Sequence, residues 1–145
     1  MSDRLTAFKE LIQAGGAKRP ADLIIKNGQL VNVMTAEIYP AEVAIYQGKI
    51  VAVDPDVSAY QGTETRVIDA KQQYIVPGLI DGHIHVECSK LSMTSFAEAV
   101  VPHGTTSIIS GLDEYISVIG VDGLSEIFKE VDQLPMRVFW GAPFK

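Results

Sequence analysis

The 145-residue chain has a single cysteine, and it lacks both a cluster of basic residues and a long hydrophobic run. One cysteine cannot form an intrachain disulfide, so the sequence does not indicate a disulfide-rich secreted scaffold. Because 12 Lys and Arg face 18 Asp and Glu, the formal net charge is -6, which argues against binding nucleic acid or an anionic membrane. No apolar run approaches the roughly 18 residues of a membrane span, and residues 1–20 lack a secretory signal pattern. We therefore expect a soluble, cytoplasmic protein.

The first half of the chain predicts a helix followed by short strands. Apolar residues at helical spacing between residues 3 and 13 predict an amphipathic helix within an N-terminal segment 1–20. Asn27-Gly28 and Gln47-Gly48 each lie between two β-branched runs, and both are therefore interpreted as hairpin turns. Several short strands in residues 21–73 predict a small β-sandwich or open barrel. The predicted strands cover residues 22–26, 29–33, 42–46, 49–53 and 65–68.

From residue 74 onward, strand-like and helix-like segments alternate. This order is typical of parallel β/α units. A complete eight-fold β/α barrel takes roughly 250 residues, so residues 74–145 are either a smaller α/β fold or the first part of such a barrel. The predicted strands cover residues 74–86, 105–110 and 136–140, and the predicted helices cover residues 94–101 and 123–131.

The most informative motif is a pair of histidines at the end of the first predicted parallel strand. His83 and His85 are two residues apart, so on a strand their imidazoles share one face and suit a single divalent metal ion. Active sites of β/α enzymes form at this end of the strands. For an isolated His-x-His motif, local hydrogen bonding is the commoner explanation. Here, two of the three histidines in the chain fall at this strand end, which favours a metal site.

Four nearby residues are weaker candidates. Glu87 alternates onto the face of the two histidines. It either supports a metal ligand or is a solvated loop carboxylate, and the two interpretations are about equally well founded. His103 follows a predicted helix, where capping of the helix end is the favoured role. Cys88 is interpreted as a bystander thiol, since a nucleophile would need a nearby cation. Asp81 either fixes a turn or orients an imidazole. The sequence alone identifies no catalytic residue.

These motifs resemble a known family. Val76-Pro77-Gly78-x-x-Asp81-x-His83-x-His85 after a small β lobe is similar to the amidohydrolase superfamily. Within it, residues 81–106 are most similar to bacterial adenine deaminases, through His-x-His-x-Glu and a Phe-x-x-Ala-Val-x-Pro-His-Gly-Thr-Thr stretch beginning at Phe96. The opening strands from Ala21 also fit, and the resemblance extends over about residues 21–120.

The resemblance implies a fold, a cofactor and a reaction. The fold is α/β with a small all-β lobe: a β-sandwich part, then the first strands and helices of a metal-dependent (β/α)8, or TIM, barrel, truncated at residue 145. His83 and His85 match the metal-ligand motif for one or two divalent ions, Mn, Fe or Zn. The reaction converts adenine and water to hypoxanthine and ammonia, so the implied partner is a purine base. Whether the protein forms a homo-oligomer is left open by the sequence.

One strand end departs from the family pattern. Adenine deaminases typically carry Asp-Pro-His-Glu where this chain has Gly111-Leu112-Asp113-Glu114. Asp113, Glu114 and Glu87 are therefore candidates for supporting the metal or contacting substrate. The change leaves open a related amidohydrolase acting on another purine or on a cyclic amide. The unrelated zinc nucleobase deaminases, whose signature needs Pro-Cys-x-x-Cys, are excluded by the single cysteine.

The number of available ligands limits what the chain can do alone. A catalytic metal site needs about three protein ligands, and the family draws further ligands from later barrel strands. We therefore expect an N-terminal fragment that is inactive by itself. The alternatives are a non-catalytic metal-binding remnant, or a chain in which only the lobe at residues 21–68 folds.

Overall fold

The structure is a computed structural model that describes residues 2–142. The chain divides into two compact units, Met1–Pro77 and Gly78–Lys145. The first unit, called the β lobe, contains α1 (Ser2–Gly15), β1 (Leu23–Asn32), β2 (Glu37–Tyr46), β3 (Lys49–Asp54), β4 (Arg66–Asp69) and β5 (Tyr74–Ile75). The second, called the β/α unit, contains β6 (Leu79–Ile84), α2 (Met93–Val100), β7 (Thr105–Gly111), α3 (Asp113–Val131) and β8 (Arg137–Gly141).

The strands of the β lobe form one five-stranded sheet in which β1 is central. On one side β1 pairs antiparallel with β2, which in turn pairs antiparallel with β3. On the other side β1 pairs in parallel first with β4 and then with β5. The buried core of the lobe is small and aliphatic, and it contains Ala21, Ile24, Ala44 and Val57.

The prediction of a hairpin at Asn27-Gly28 is wrong. Both residues lie inside the continuous strand β1, at a bulge where the register with β2 shifts. Asn27 takes a φ of 56° there, a left-handed conformation that asparagine tolerates better than most residues. At Gly28, a Cβ would overlap the side chain of Ile75. The sequence signal for a turn is therefore a strand bulge, placed where β1 changes its parallel partner from β4 to β5.

The second predicted hairpin is confirmed. Gln47 and Gly48 have φ values of 48° and 68°, so both central residues of the turn are left-handed. Tyr46 pairs with Lys49 across this two-residue loop, as in a type I′ hairpin. The strand predicted at residues 65–68 is also present, as β4.

The predicted N-terminal helix is confirmed, although three of its large apolar side chains are exposed. Leu5, Phe8 and Ile12 are 57%, 62% and 61% exposed within the described part of the chain. The side of α1 that meets the lobe carries Ala14, which is fully buried. Arg19 adds a polar attachment, because its guanidinium lies 3.0 Å from the Glu10 carboxylate and donates to Tyr46 Oη at 2.9 Å.

The strands of the β/α unit form a parallel sheet in the order β6-β7-β8. Its core lies on one face, where Ile108 of β7 is fully buried against Met93 and Phe96 of α2. Residues that alternate to the other face are more exposed, as Ile109 and Phe139 show at 38% and 55%. Among residues 2–142, no helix combines the length and apolar character needed to cross a membrane.

Several element boundaries differ from the prediction, and three of them lie at the start of the β/α unit or within it. Tyr74–Ile75 pairs with β1 in the lobe, rather than opening the β/α unit. The strand β6 stops at Ile84, and a 3-10 turn at Val86–Ser89 replaces the predicted extended end. The helix α3 begins ten residues earlier than predicted, at Asp113, and bends at Gly120, whose φ and ψ are 69° and 177°. Glycines in this region lower the helical signal in the sequence, whereas acidic residues in the first turn favour a helix N-terminus.

Candidate metal centre

The candidate site lies where β6 and β7 end. Because the two strands are parallel, their C-terminal ends lie at the same edge of the sheet. His83 belongs to β6, and His85 follows its last residue. Asp113 and Glu114 open α3, directly after β7. The chain therefore brings histidines from the end of β6 and carboxylates from the start of α3 to one edge of the sheet.

The two histidine rings are neighbours. Their centroids are 5.0 Å apart, with an interplanar angle of 73° in an edge-to-face arrangement. The Asp81 carboxylate accepts a hydrogen bond at 3.1 Å from the backbone N–H of His83, which fixes the end of β6. The His83 side chain is exposed. Adjacent rings on one side of the strand are the geometry that the His-x-His spacing predicts.

His85 is held by two carboxylates. Its Nδ1 lies 2.8 Å from Glu114 Oε2 and 3.3 Å from Glu87 Oε1. The hydrogen bond to Glu114 is the main cause that raises the pKa of His85 above its ordinary value. An Nδ1–H that donates to a carboxylate leaves Nε2 of the neutral ring with a free lone pair, as in many metal-binding histidines.

Glu87 contributes a partly buried carboxyl group. It lies in the turn at Val86–Ser89, and its Oε2 atom is buried without a hydrogen-bond partner among the described residues. Burial raises the pKa of Glu87, and the neighbouring Glu114 adds to this effect. Conversely, contacts with Glu87 and His85 hold the pKa of Glu114 below its usual value. An unpaired buried oxygen is costly, and a bound cation would satisfy it.

Two overlapping groups of side chains could hold a cation. Ligand atoms of His85, Asp113 and Glu114 lie within 4.8 Å of one another, and so do those of Glu87, Cys88 and Glu114. Imidazole nitrogen and carboxylate oxygen are the ligands that Zn²⁺ and related divalent ions accept. His83 is part of neither group, although its ring adjoins that of His85.

Two other sequence candidates have surroundings that suit supporting roles. Burial and the charges of Glu114 and Glu87 raise the pKa of Cys88, which disfavours the thiolate that a nucleophile needs. His103 lies in the 3-10 turn before β7, at the opposite end of that strand from the site.

Sequence reasoning missed Gly111 and Tyr115. Gly111 is buried at the end of β7 directly beneath the His85 ring, and a Cβ there would overlap that ring. A glycine that ends a buried strand is the signal that could have found it. Burial raises the pKa of Tyr115 to about 12, so its hydroxyl stays protonated.

A cavity of about 410 Å³ adjoins the site. Glu87 and Glu114 border it, Tyr115 forms part of the wall, and the remaining lining is largely aliphatic, from α3. This volume is within the range of small-molecule pockets. The site therefore combines a small apolar cavity with carboxylates and an imidazole.

Removing the Glu114 charge is expected to lower the pKa of His85. In the folded chain this pKa is raised above 6.5, so the contact stabilises the fold at lower pH and is lost as pH rises through the raised pKa. In the metal-free Glu114→Gln variant, the pKa of His85 should fall toward 6.5 in an NMR titration of its ring protons. Asp122→Asn, on the same helix, is the control and should leave the titration unchanged. An unaltered titration in Glu114→Gln contradicts the hydrogen bond.

The β lobe, the parallel sheet that follows it and the histidine pair at the end of β6 are the features that the resemblance to amidohydrolases implies. No protein-family model matches the chain. Two curated relatives match nearly all of it: adenine deaminase 1 of Desulfotalea psychrophila, 61% identical over 96% of this chain and 23% of the relative, and adenine deaminase 4 of Rhizobium meliloti, 55% identical over 97% and 24%. The chain spans about a quarter of the length of these relatives. Over the matched segment, its sequence is similar to those of adenine deaminases.

A solved structure supports the fold assignment. D-aminoacylase, studied for the functional role of its binuclear metal centre, superposes with a TM-score of 0.53 at 27% identity, over 63% of this chain and 18% of that enzyme. The predicted fold class is thereby confirmed as the mixed α/β architecture of amidohydrolases, matched over part of the chain.

Proposed function

We propose that the chain forms the metal-holding opening part of a hydrolytic deaminase that converts adenine to hypoxanthine and ammonia. The observation that carries the proposal is the cluster in which the His85 imidazole is hydrogen-bonded to Glu114 and adjoins the His83 ring. The identity to two enzymes named adenine deaminase supports the choice of reaction. The reaction consumes water and a small heterocyclic base, so the proposed partner is a purine.

The residues at the site suit a divalent cation. His83 and His85 would hold it, with Asp113 or Glu114 as carboxylate ligands, and the unpaired Glu87 Oε2 marks a buried oxygen available to it. We propose Mn, Fe or Zn, as one ion or two. When bound, such an ion lowers the pKa of water and so supplies a nucleophile near neutral pH.

Two carboxyl groups of the chain would orient a histidine ring and hold a proton. Glu114 fixes the His85 ring through Nδ1. Glu87 has a raised pKa, so it is suited to hold a proton beside a leaving amine. The protonated Tyr115 and the aliphatic wall of the 410 Å³ cavity would exclude water from one side of a planar base.

A second candidate reaction is hydrolysis of another purine or of a cyclic amide. Asp113, which replaces the histidine of the resembled motif, favours this alternative because it lies within 4.8 Å of the His85 and Glu114 ligand atoms. A carboxylate at the site changes both the ligand charge and the hydrogen bonds offered to substrate. Substrate profiling therefore separates the two reactions.

We also propose that the 145-residue chain alone binds metal without releasing ammonia. A catalytic site needs about three protein ligands and contacts to the substrate, and the matched enzymes are about four times as long as the segment they share with this chain. The single cysteine and the acidic composition support a cytoplasmic location. Self-association stays a prediction that size-exclusion chromatography tests.

A chimera tests the proposed reaction. In the Desulfotalea psychrophila relative, this chain would replace the matched segment of 139 residues, to which it is 61% identical. The metal-loaded chimera should release ammonia from adenine, whereas the isolated chain should not. The same chimera carrying His83→Asn and His85→Asn should lose at least about a hundredfold in activity, more than the loss of an outer-sphere partner costs.

Each arm of this experiment has a contradicting outcome. Ammonia release by the isolated chain overturns the proposed inactivity. A chimera that prefers another purine or a cyclic amide over adenine supports the second candidate reaction. A folded chimera whose activity survives the double histidine substitution contradicts the metal-ligand assignment. The unaltered relative is the positive control for the assay.

A further inference from the structure

Gly111 and the His85 ring are in close contact across two strand ends. Gly111 is the last residue of β7 and is buried. A Cβ built on it would overlap His85 Cε1, and would lie 2.7 Å from Nδ1 and 3.0 Å from Nε2. The face of the ring, at the carbon between its two nitrogens, therefore lies against the bare Cα of Gly111.

Other neighbours also restrain the His85 ring. Glu114 and Glu87 approach Nδ1 at 2.8 Å and 3.3 Å, and the His83 ring lies edge-to-face with a centroid distance of 5.0 Å. Because neighbours from β6, from the turn after it and from α3 restrain the His85 side chain, the space at Gly111 matters for whether the ring can lie there. In this position the imidazole occupies the space that a side chain on residue 111 would need.

We propose that Gly111 is a positioning residue for the metal site. It leaves room for the His85 imidazole on the end of β7, so that Nδ1 stays on Glu114 and Nε2 remains available to a cation. This inference rests on the proposed function for its metal readout, whereas the position of the ring can be measured without metal.

The requirement concerns space and not backbone conformation. The φ of Gly111 lies outside the left-handed region, so alanine can adopt its backbone without strain. An alanine Cβ, however, needs more room than the ring leaves. The ring would have to turn away from its rotamer, and the hydrogen bond from Nδ1 to Glu114 would be broken or lengthened.

Gly141 provides a matched control. It is the partner of Gly111 in the parallel register, at the end of the neighbouring strand β8. Its backbone φ is also outside the left-handed region, and a Cβ there would meet nothing closer than Ser110 O at 3.6 Å. Gly141→Ala therefore adds the same methyl group at the same sheet edge without displacing His85.

The experiment compares Gly111→Ala and Gly141→Ala in the 145-residue chain. Circular dichroism and thermal melting check the fold, ¹⁵N chemical shifts of the His85 ring in metal-free protein report its hydrogen bonding, and calorimetry measures Mn²⁺ binding. In folded Gly111→Ala, we expect the His85 Nδ1 shift to move away from that of the parent and the Mn²⁺ affinity to fall by about tenfold or more, as for lost ligand orientation. Gly141→Ala should match the parent in both.

The outcomes separate this inference from the proposed function. Unchanged His85 shifts in a folded Gly111→Ala chain overturn the inference. If the parent itself does not bind Mn²⁺, the proposed metal site fails, and the ¹⁵N shifts still decide the role of Gly111. If Gly111→Ala does not fold, a measurement on the parent chain tests the contact between Gly111 and His85. A nuclear Overhauser effect between the Gly111 α-protons and His85 Hε1 supports the inference, and its absence overturns it.

Discussion

Replacing His83 and His85 together by asparagine is expected to lower the affinity of the chain for Mn²⁺ or Zn²⁺ by more than about a hundredfold. Loss of a single hydrogen-bond partner of a metal ligand typically costs about 10–100-fold, and this variant removes two proposed ligands. Asparagine keeps a similar size and polarity, so the fold should persist. The measurement is isothermal titration calorimetry on metal-free protein, with circular dichroism as the check on folding.

The single variants are expected to differ. His85 has ligand atoms within 4.8 Å of those of Asp113 and Glu114, whereas His83 is in neither such group, so His85→Asn should cost more affinity than His83→Asn. His103→Asn is the control, because this third histidine lies at the opposite end of β7. Equal metal binding by the double variant and the His103 variant would show that the cation binds elsewhere.

Truncation of Ile108 to alanine is expected to destabilise the β/α unit by about 2–5 kcal/mol, the usual cost of an internal cavity of this kind. Ile108 is fully buried in the central strand β7 and packs in the cluster that includes Met93, Phe96 and Met136. Because domains are stable by only about 5–15 kcal/mol, a loss of this size is a large fraction of the total. The measurement is urea unfolding followed by fluorescence.

The chain offers both a probe and a control for this experiment. Its single tryptophan, Trp140, lies in β8 and packs against the same cluster, so its fluorescence reports on the β/α unit. Ile109→Ala removes the same atoms from the next residue of β7, which is 38% exposed, and should cost clearly less. Equal shifts of the unfolding midpoint in the two variants would mean that the core does not lie on the Ile108 face.

Much of the candidate site could be predicted from the sequence because its residues are close to one another along the chain or follow consecutive strands. His83 and His85 are two residues apart at the end of a strand, and this spacing by itself places their rings on one side. Asp113 and Glu114 follow the next strand, and parallel strands end at one edge. The contacts between the two strand ends, such as Nδ1 of His85 with Glu114, required the register of β6 and β7.

The errors in the fold arise where one local signal has two structural solutions. Asn-Gly supports a hairpin turn at one place and a bulge at another, and only the pairing partners decide between them. At Gln47-Gly48 the flanking segments pair with each other. At Asn27-Gly28 they are one strand, whose parallel neighbours β4 and β5 come from residues about 40 positions later in the chain. Such long-range pairing is not encoded in the dipeptide.

Gly111 is a second case in which the sequence does not show a contact between distant residues. In the sequence it is a departure from a resembled motif, with no visible reason. In the structure, its bare Cα lies against the His85 ring, where a Cβ would overlap the ring. The early start of α3 is similar, because its first turn carries the Glu114 carboxylate that contacts His85, while Gly120 interrupts the helix seven residues after its first residue.

The central claim is that His83 and His85 hold a divalent cation at the end of β6. Anomalous diffraction from crystals of the chain grown with Zn²⁺ tests it most directly. The account predicts a zinc peak at about 2.0–2.1 Å from an imidazole nitrogen of each histidine, with a carboxylate oxygen from Asp113, Glu114 or Glu87 beside it. A peak bound only by other side chains, or no peak near these two rings at saturating Zn²⁺, would contradict it.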